Sequence, residues 1–158
     1  FVELHQELEH IKNYFEIQLA RYPDRFYYYV EASDGMEHYL IPPLIIQNFA
    51  ENAIKYSISM QKKISIYVLV EFYEDNKMRI RIADTGKGLS PKVLEAIGRF
   101  RETHVYQDAL GIGIQNAIER LEILYQGIPK IRFYNSASGG ATIDIIMPCI
   151  EKEKTEEI

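Results

Sequence analysis

The sequence predicts an α+β sandwich, and three observations lead to that expectation. The 158 residues fit one compact domain, or one domain with a short appendage. Apolar residues make up 47% and charged residues 26%, which excludes a disordered or collagen-like chain. Helical and strand patterns are mixed along the chain without the regular alternation of a parallel βαβ fold.

The first third of the chain predicts two helices separated by extended segments. Residues 2–22 form the first helix, whose apolar residues follow the 4-3-4 spacing of a packed helix pair: Leu4, Leu8, Ile11 and Phe15. Residues 26–32 are rich in tyrosine and predict a strand, and residues 37–41 predict a second, shorter one. Pro42-Pro43 then opens a helix that extends to about residue 58, since proline is tolerated in a first helical turn.

Two alternating runs follow and predict a β-hairpin. Residues 64–72 place every second apolar side chain on one face, and residues 74–76 form the turn. The returning strand carries Met78, Ile80 and Ile82 inward, with Arg79 and Arg81 outward.

The last third predicts two helices, a loop and a final pair of strands. Residues 91–98 form a short helix, and residues 111–126 form a longer one that opens with glycines. Residues 99–110 between them lack periodicity and are long enough to form a lid. The two strands are expected at residues 131–134 and 142–147.

Charge and cysteine content restrict the function. Eighteen basic and twenty-three acidic residues give a net charge of −5, so the basic excess typical of a nucleic-acid-binding protein is absent. The lone Cys149 excludes an internal disulfide framework and fits a reducing compartment. Because the chain begins at Phe1 and has no apolar run long enough to span a bilayer, we expect a fragment cut from a longer polypeptide.

The first candidate site lies on the predicted helix after Pro43. Asn48, Asn52 and Lys55 share one face, with Gln47 and Glu51 beside them. Asparagine is a poor helix former, but its amide oxygen is a suitable ligand for Mg²⁺, and a nearby lysine can hold phosphate oxygens. From the spacing alone, an ordinary polar helix face remains an equally good interpretation.

The second candidate site is the turn Asp84-Thr85-Gly86-Lys87-Gly88. Asp84 continues the inward, apolar face of its strand, so its carboxylate needs a partner, either a ligand amino group or a buried arginine. The glycines Gly86 and Gly88 allow a sharp turn and a close approach by a ligand. A hairpin turn with a capping aspartate is the alternative interpretation.

Two further glycine motifs suggest anion and base contacts. Gly111-Ile112-Gly113 opens a long helix, whose N-terminus is suited to bind an anion, although a simple hinge has the same pattern. The turn at residues 139–142 places Thr142 within reach of Asp84, although a threonine here is also common as a plain strand residue.

Taken together, the motifs resemble the nucleotide-binding domain of sensor histidine kinases, in the GHKL ATPase superfamily, and most closely its LytS/YesM-like branch. Residues 41–56, IPPLIIQNFAENAIKY, resemble the N box, and residues 84–88, DTGKG, resemble the G1 box. Residues 111–121, GIGIQNAIERL, resemble the G2 box with its following Arg-Leu, and residues 4–21 resemble the second dimerisation helix of that branch.

The resemblance implies a fold and a division of the chain. It implies a two-layer sandwich of the Bergerat type, with a mixed sheet of about five strands against three helices. Residues 1–22 would be the end of the dimerisation helix, residues 23–150 the catalytic ATP-binding domain, and residues 151–158 a disordered tail.

The resemblance also implies ATP and Mg²⁺ as cofactors and a role for each motif residue. Asn52 would coordinate Mg²⁺, Asn48 would support the metal and phosphates, and Glu51 would polarise the attacking group. In the rest of the site, Lys55 would contact phosphates, Tyr56 would pack against adenine, and Asp84 would accept a hydrogen bond from the adenine amino group. Gly86 and Gly88 would shape the turn under the base, the backbone of Gly111, Ile112 and Gly113 would bind phosphate, and Thr142 would reach the base through water.

Two departures from the family pattern bear on these roles. The G2 box lacks a third glycine and carries Gln115 after Ile114, and Tyr56 replaces the histidine usual in the branch. No phosphoacceptor motif is present: His5 and His10 occupy polar helix positions, and His38 and His104 have no metal-ligand partners at a useful spacing in sequence.

We therefore expect a domain that binds ATP and transfers its γ-phosphoryl group to a histidine on an upstream helix that is absent from this chain. The expected partners are that helix, a second copy of the full-length protein and a response regulator, with no nucleic acid, and the expected location is the cytoplasmic side of a membrane-anchored bacterial sensor. The alternatives are a GHKL ATPase or protein-serine kinase, and a degenerate docking module without activity.

Overall fold

The computed structural model describes residues 1–58, 62–126 and 130–153. Four helices and seven strands occur in this part of the chain. In order they are β1 Val2–Glu3, α1 Leu4–Arg21, β2 Phe26–Ala32, β3 Leu40–Ile41, α2 Ile45–Ile58, β4 Ile64–Tyr73, β5 Lys77–Asp84, α3 Pro91–Thr103, α4 Ile112–Tyr125, β6 Lys130–Asn135 and β7 Ala141–Pro148.

Five of the strands form one mixed sheet in the order β2-β4-β5-β7-β6, while β1 and β3 pair separately. The β2–β4 pair is parallel, and the other three pairs are antiparallel. Asp75 and Asn76 both have positive φ, as a tight hairpin between β4 and β5 requires. The predicted α+β class, the mixed five-stranded sheet and the hairpin are thus confirmed.

The core lies between one face of this sheet and the helices. Every second residue of β4 and β5 is buried on that face, and α2 packs against it through Ile46, Phe49 and Ala50. Helix α1 also belongs to this layer: Phe15 is fully buried and stacks on Tyr28 of β2, with ring centroids 4.9 Å apart. Four helices, rather than the three expected, therefore cover the sheet.

Several predicted boundaries are wrong by a few residues. Val2–Glu3 is a short strand paired with β3, so the first helix begins at Leu4. Helix α2 begins at Ile45, after the two prolines, because Leu44 has a left-handed φ of 63° that cannot continue a helix backwards. Helix α3 continues to Thr103, so the predicted loop is shorter at its start.

Helix α3 is longer than predicted because an apolar residue beyond Gly98 is buried on the same helix face. Phe100 is buried at 5% exposure, one turn after Ala96 and Ile97, and extends the apolar face of the helix. His104 then ends the helix in a left-handed conformation, with its N–H bonded to the Phe100 carbonyl.

The opposite face of the sheet carries an ion pair between a buried aspartate and a partly exposed arginine. Arg81 donates to both oxygens of Asp144 at 2.7 and 2.9 Å, and the Tyr134 hydroxyl donates to the same carboxylate at 2.9 Å. Burial acts to raise the pKa of Asp144, but these hydrogen bonds outweigh it and lower the pKa overall. The pair fixes β5, β7 and β6 to one another on the face away from the helices.

After β7, the chain pairs with the residues around β3. The Leu40 N–H donates to the Ile150 carbonyl at 2.7 Å, and Glu151 forms a single antiparallel bridge with Tyr39. Residues 154–158 of the predicted tail lie outside the described residues. In the described part of the chain, no helix is long and apolar enough to cross a membrane.

Candidate functional site

An apolar cavity opens between the sheet and helices α2, α3 and α4. Most of its lining consists of apolar side chains from the sheet, the three helices and the segments between them, and Asp84 adds a carboxylate at the end of β5. The lining residues are Phe49, Asn52, Ala53, Ile82, Asp84, Leu89, Val93, Ile97, Ala109, Leu110, Gly111, Ile114, Phe133, Ala141 and Ile143. Asp84 and Asn52 are the most polar of these residues. A flat, mostly apolar ligand with an edge that hydrogen-bonds to Asp84 suits this lining.

Asp84 lies at the floor of this cavity, as its strand position predicts. Its Oδ1 accepts from the Gly86 N–H at 2.8 Å and from the Ala141 N–H at 3.4 Å. Burial raises the pKa of the Asp84 carboxyl, and the two backbone donors only partly oppose this. A ligand N–H group at the second oxygen would compensate the buried charge.

Two glycines let the backbone around Asp84 close tightly. A Cβ on Gly140 would lie 1.8 Å from the Asp84 carbonyl oxygen, and a Cβ on Gly88 would lie 2.3 Å from the Gly139 carbonyl oxygen. Gly88 also has a φ of +79°, which other residues adopt at a cost. The backbone that positions Asp84 is therefore packed too closely to admit a side chain at Gly140, a position that the sequence indicated only as part of a turn.

A second, polar cavity adjoins the first and shares Asn52 and Ile114 with it. Helix α2 contributes Asn48, Glu51, Asn52, Ile54 and Lys55, and Gly113 and Ile114 contribute the start of α4. The structure thus brings together the polar face of the N-box-like helix and the glycines of the G2-like motif.

Helix α1 supplies the remaining wall of the polar cavity, which sequence analysis did not foresee. Its contributions are Tyr14, Gln18 and Arg21, followed by Tyr22 just past the helix end. Arg21 therefore adds to the lining a guanidinium, the group best suited to bidentate phosphate binding, in addition to Lys55. The signal was present in the sequence, since these residues are spaced at three and four positions on the polar side of the Phe15 seam.

A chain of polar contacts links α1 to Glu51. A ring nitrogen of His10 shares a hydrogen bond with the Gln47 amide oxygen, and Gln47 Nε2 donates to Glu51 Oε1 at 3.0 Å. Burial and the nearby charge of Glu51 raise the pKa of the Tyr14 hydroxyl to about 12. The orientation of Glu51 is therefore tied to the helix that precedes the sheet.

The segment between α3 and α4 is held by one buried side chain, Gln115. Its Oε1 accepts from the Gln107 N–H at 2.8 Å, and its Nε2 donates to the carbonyls of Gln107 and Leu110, each at 3.1 Å. Gln115 is only 2% exposed. The residue that replaces the third glycine of the G2 box thus anchors the predicted lid at residues 104–110.

The remaining predicted residues differ in whether they line a cavity, are exposed to solvent or face away from the cavities. Gly111 is the N-cap of α4 and lines the apolar cavity, while Ile112 is 62% exposed. The Tyr56 side chain lies outside the described residues. Thr142 is buried and pairs with Ala83 on the sheet face opposite the cavity, whereas its neighbours Ala141 and Ile143 line the cavity.

Comparison with known proteins agrees with this geometry. The family described as histidine kinase-, DNA gyrase B-, and HSP90-like ATPase matches residues 42–151. "Sensor protein LytS" of Staphylococcus haemolyticus is 29% identical over 147 residues, which are 93% of this chain and 25% of that protein. "Sensor histidine kinase/phosphatase LytS" of Staphylococcus aureus is 30% identical over 157 residues, or 97% of this chain and 26% of that protein. The chain thus spans about a quarter of the length of these relatives.

Solved structures show the same fold at low sequence identity. The catalytic domain of histidine kinase ThkA superposes with a TM-score of 0.69 at 15% identity, over 95% of this chain and 96% of that one. The mycobacterial sensor histidine kinase MprB gives a TM-score of 0.61 at 15% identity, over 96% of this chain and 97% of that one. The predicted two-layer fold is thereby confirmed.

Proposed function

This chain belongs to the histidine kinase-, DNA gyrase B-, and HSP90-like ATPase family. On that premise we propose that it is the ATP-binding domain of a sensor kinase, and we propose how its residues bind and use ATP. The observation that carries the proposal is that two adjoining cavities of different character share Asn52 and Ile114 in their walls. One cavity is apolar with a carboxylate floor, and the other is polar with two cationic side chains. ATP is divided in the same way, since adenine is a flat, mostly apolar ring and the triphosphate is polar and negatively charged.

In this proposal the apolar cavity holds adenine. Asp84 accepts a hydrogen bond from the exocyclic amino group, which guanine lacks at that position, so the carboxylate selects ATP over GTP. Gly86 and Gly88 shape the turn beneath the ring, and Tyr56 packs against it. Thr142 lies on the other sheet face, so any contact of its hydroxyl with the base would run through water at the end of the strand.

The polar cavity holds the triphosphate. Lys55 and Arg21 neutralise phosphate oxygens from opposite sides, and the backbone N–H groups at Gly111, Ile112 and Gly113 add the positive end of the α4 dipole. Asn48, Glu51 and Asn52 present oxygen atoms there, the donor chemistry that Mg²⁺ prefers, so the residues fit the metal. Asn52 would be its ligand and Asn48 its support, and bound Mg²⁺ would neutralise part of the phosphate charge.

The reaction we propose is transfer of the γ-phosphoryl group to a histidine of the upstream dimerisation helix. A nitrogen–phosphorus bond forms as the bond from phosphorus to the leaving ADP oxygen breaks, so positioning and charge neutralisation supply the catalysis. A neutral imidazole is already a nucleophile, and Glu51 polarises it. Asn48 cannot deprotonate water, so hydrolysis of ATP should be slow.

The context of the domain is part of the same proposal. The longer relatives are named a sensor protein and a sensor histidine kinase/phosphatase. We infer that residues 1–22 end a dimerisation helix in a homodimer, with residues 23–150 as the catalytic unit. The partners would be that helix and a response regulator, and the location the cytoplasmic side of a membrane-anchored sensor.

Calorimetric titration with a non-hydrolysable ATP analogue and Mg²⁺ tests the binding half of the proposal. We expect binding by the chain, and an Asn52→Ala variant should bind the analogue with a greatly reduced dependence on Mg²⁺. Unchanged Mg²⁺ dependence would contradict the metal assignment, and no binding at all would favour a degenerate docking module.

Assay of the full-length dimer tests the chemical half. Incubation with radiolabelled ATP should produce acid-labile phosphohistidine. Acid-stable phosphoserine, or rapid release of free phosphate without protein labelling, would instead favour a protein-serine kinase or an ATPase.

A further inference from the structure

Three side chains with metal-binding atoms converge at the beginning of α1, far from the nucleotide site. His5 Nε2 lies 2.8 Å from Glu3 Oε2, and His38 Nδ1 lies 3.3 Å from Glu3 Oε1. One ligand atom from each residue falls within 4.8 Å of the other two. Within the described residues no other set of three histidine, cysteine or acidic side chains comes this close.

The backbone holds these residues in place. Val2–Glu3 pairs with Leu40–Ile41 as a two-stranded sheet, which fixes Glu3 opposite Leu40. The His5 N–H donates to the Glu37 carbonyl at 3.0 Å, and the Leu4 N–H donates to the Tyr39 carbonyl at 2.8 Å. Glu3 and His38 are 35 positions apart in sequence, so this short sheet creates the cluster.

We propose that Glu3, His5 and His38 form a binding site for a divalent transition-metal ion of the Zn²⁺ class. Two imidazoles and a carboxylate are a donor set that zinc uses, with bonds of about 2.0–2.2 Å. Tetrahedral geometry at that radius separates the donors by about 3.3 Å. One donor atom from each of the three residues already lies within 4.8 Å of the others, so the side chains need to move inward by only a short distance to hold the ion.

The surroundings offer further oxygen donors. Glu151 and Glu153 line the same surface pocket as Glu3 and His38, and Glu151 is held there by its bridge with Tyr39. One of these carboxylates, or a water molecule, would complete the coordination. The pocket is lined by acidic side chains and one lysine, Lys152, so its charge favours a cation.

The ion would connect α1 directly to the segment before β3. In the described chain these parts are joined by backbone hydrogen bonds and by the side-chain contact between the exposed His38 and Glu3, and such an exposed contact contributes little. A bound metal would fasten the end of the helix that, in our proposed function, continues from the dimerisation region. Such a site makes the attachment of helix to catalytic domain sensitive to metal.

Zinc titration of the chain, followed by calorimetry and by thermal unfolding, tests this proposal. Wild type should bind one Zn²⁺ and gain thermal stability, and Co²⁺ should give the visible absorption of a tetrahedral site with nitrogen and oxygen ligands. His38→Ala should lose about tenfold or more in affinity together with the thermal shift. The His38 side chain is 79% exposed, so its removal costs little packing.

His104→Ala is the matched control, because His104 is also an exposed histidine beside a carboxylate, 3.8 Å from Glu122. It should keep the zinc affinity and thermal shift of wild type. Equal zinc affinity of wild type and the His38→Ala variant would overturn the proposal, and so would the absence of zinc binding by wild type. Neither result bears on ATP binding, which is measured separately.

Discussion

The two halves of the nucleotide site are built in different ways. The base half is continuous with the core: its walls are buried and half-buried side chains, and the backbone next to Asp84 is packed so closely that Gly140 has no room for a Cβ. The phosphate half is lined by the solvent-facing sides of α1 and α2 and the start of α4. The first half is coupled to the stability of the fold, whereas the exposed side chains of the second, such as Arg21 and Lys55, can be substituted with little cost to folding.

This difference separates recognition from response. The tight backbone around Asp84 should keep base selection constant, while the phosphate contacts depend on exposed side chains such as Arg21, whose conformation can change while the buried face of α1 stays packed. The predictions below test the division, beginning with the largest expected effect.

Gly140→Ala should damage the base half and the fold together. Its Cβ would lie 1.8 Å from the Asp84 carbonyl oxygen, so the β7 turn must shift, and we expect a loss of about 3 kcal/mol in the free energy of unfolding. Urea denaturation measures it. Gly98→Ala is the control, since nothing lies within 4 Å of its Cβ, and in a helix it should stabilise by about 0.5–1 kcal/mol. Equal effects of both variants would refute the argument.

Asp84→Asn should separate binding from stability. Asparagine keeps an oxygen for the Gly86 and Ala141 N–H groups, but its amide cannot serve as a charged acceptor for adenine. We expect about 10- to 100-fold weaker binding of an ATP analogue, with the melting temperature maintained or raised because a buried charge is removed. Wild-type affinity in this variant would disprove the role assigned to Asp84.

The protonation of Asp84 should make base binding depend on pH. Burial raises the pKa of its carboxyl above the ordinary range, so the acceptor is neutralised at a higher pH than a surface aspartate would be. Affinity for adenosine should thus fall as pH is lowered through that raised pKa, by about tenfold overall, from loss of a charge-assisted bond. The stability of the unbound chain should change in the opposite direction: it should increase as pH is lowered through the raised pKa, because protonation removes the buried charge. Asp84→Asn should abolish the dependence that comes from this group.

Gln115→Ala should loosen the lid without unfolding the domain. It removes the three hydrogen bonds that hold Gln107 and Leu110, and we expect a local cost of about 1–2 kcal/mol. Hydrogen exchange of the amides at residues 104–110 should accelerate about tenfold, while amides of β5 and β7 remain unchanged. Faster exchange throughout the sheet would mean that Gln115 supports the whole core instead.

Arg21→Ala and Lys55→Ala should have the smallest effects, confined to the phosphate half. Exposed charges contribute about 1 kcal/mol or less, so ATP affinity should fall by about fivefold and adenosine affinity should not change. The defect should diminish at high salt, where phosphate contacts are screened. A reduction in adenosine affinity would show that α1 or Lys55 also shapes the base pocket.

The sequence was most informative where structure is local. The hairpin around Asp75-Asn76 and the inward position of Asp84 followed from alternation and turn chemistry, and both are observed. The predicted end of α3 at Gly98 was wrong, because Phe100 continues the apolar face of the helix beyond that glycine. A fourth covering helix was not expected because α1 was read as an appendage.

Contacts between distant segments were the part that the sequence could not reveal. Arg21 lines the same cavity as Lys55 only because α1 packs against α2, and His38 comes near His5 only through the β1–β3 pair. In the sequence, Gln115 is recognisable only as a residue in place of the third G2-box glycine, and its hydrogen bonds to Gln107 and Leu110 are visible only in the structure. In each case side-chain identity was known, but the neighbour was set by tertiary packing.

The contact between Asp84 and Ala141 has a kinetic consequence. These residues are 57 positions apart, and pairing of β5 with β7 must close that whole stretch of chain, including α3 and α4. Loop closure of this length is entropically costly and slows folding, while the β4–β5 hairpin can form early. The nucleotide pocket should therefore be completed late in folding, so ATP would slow unfolding of the finished domain and leave its folding rate unchanged.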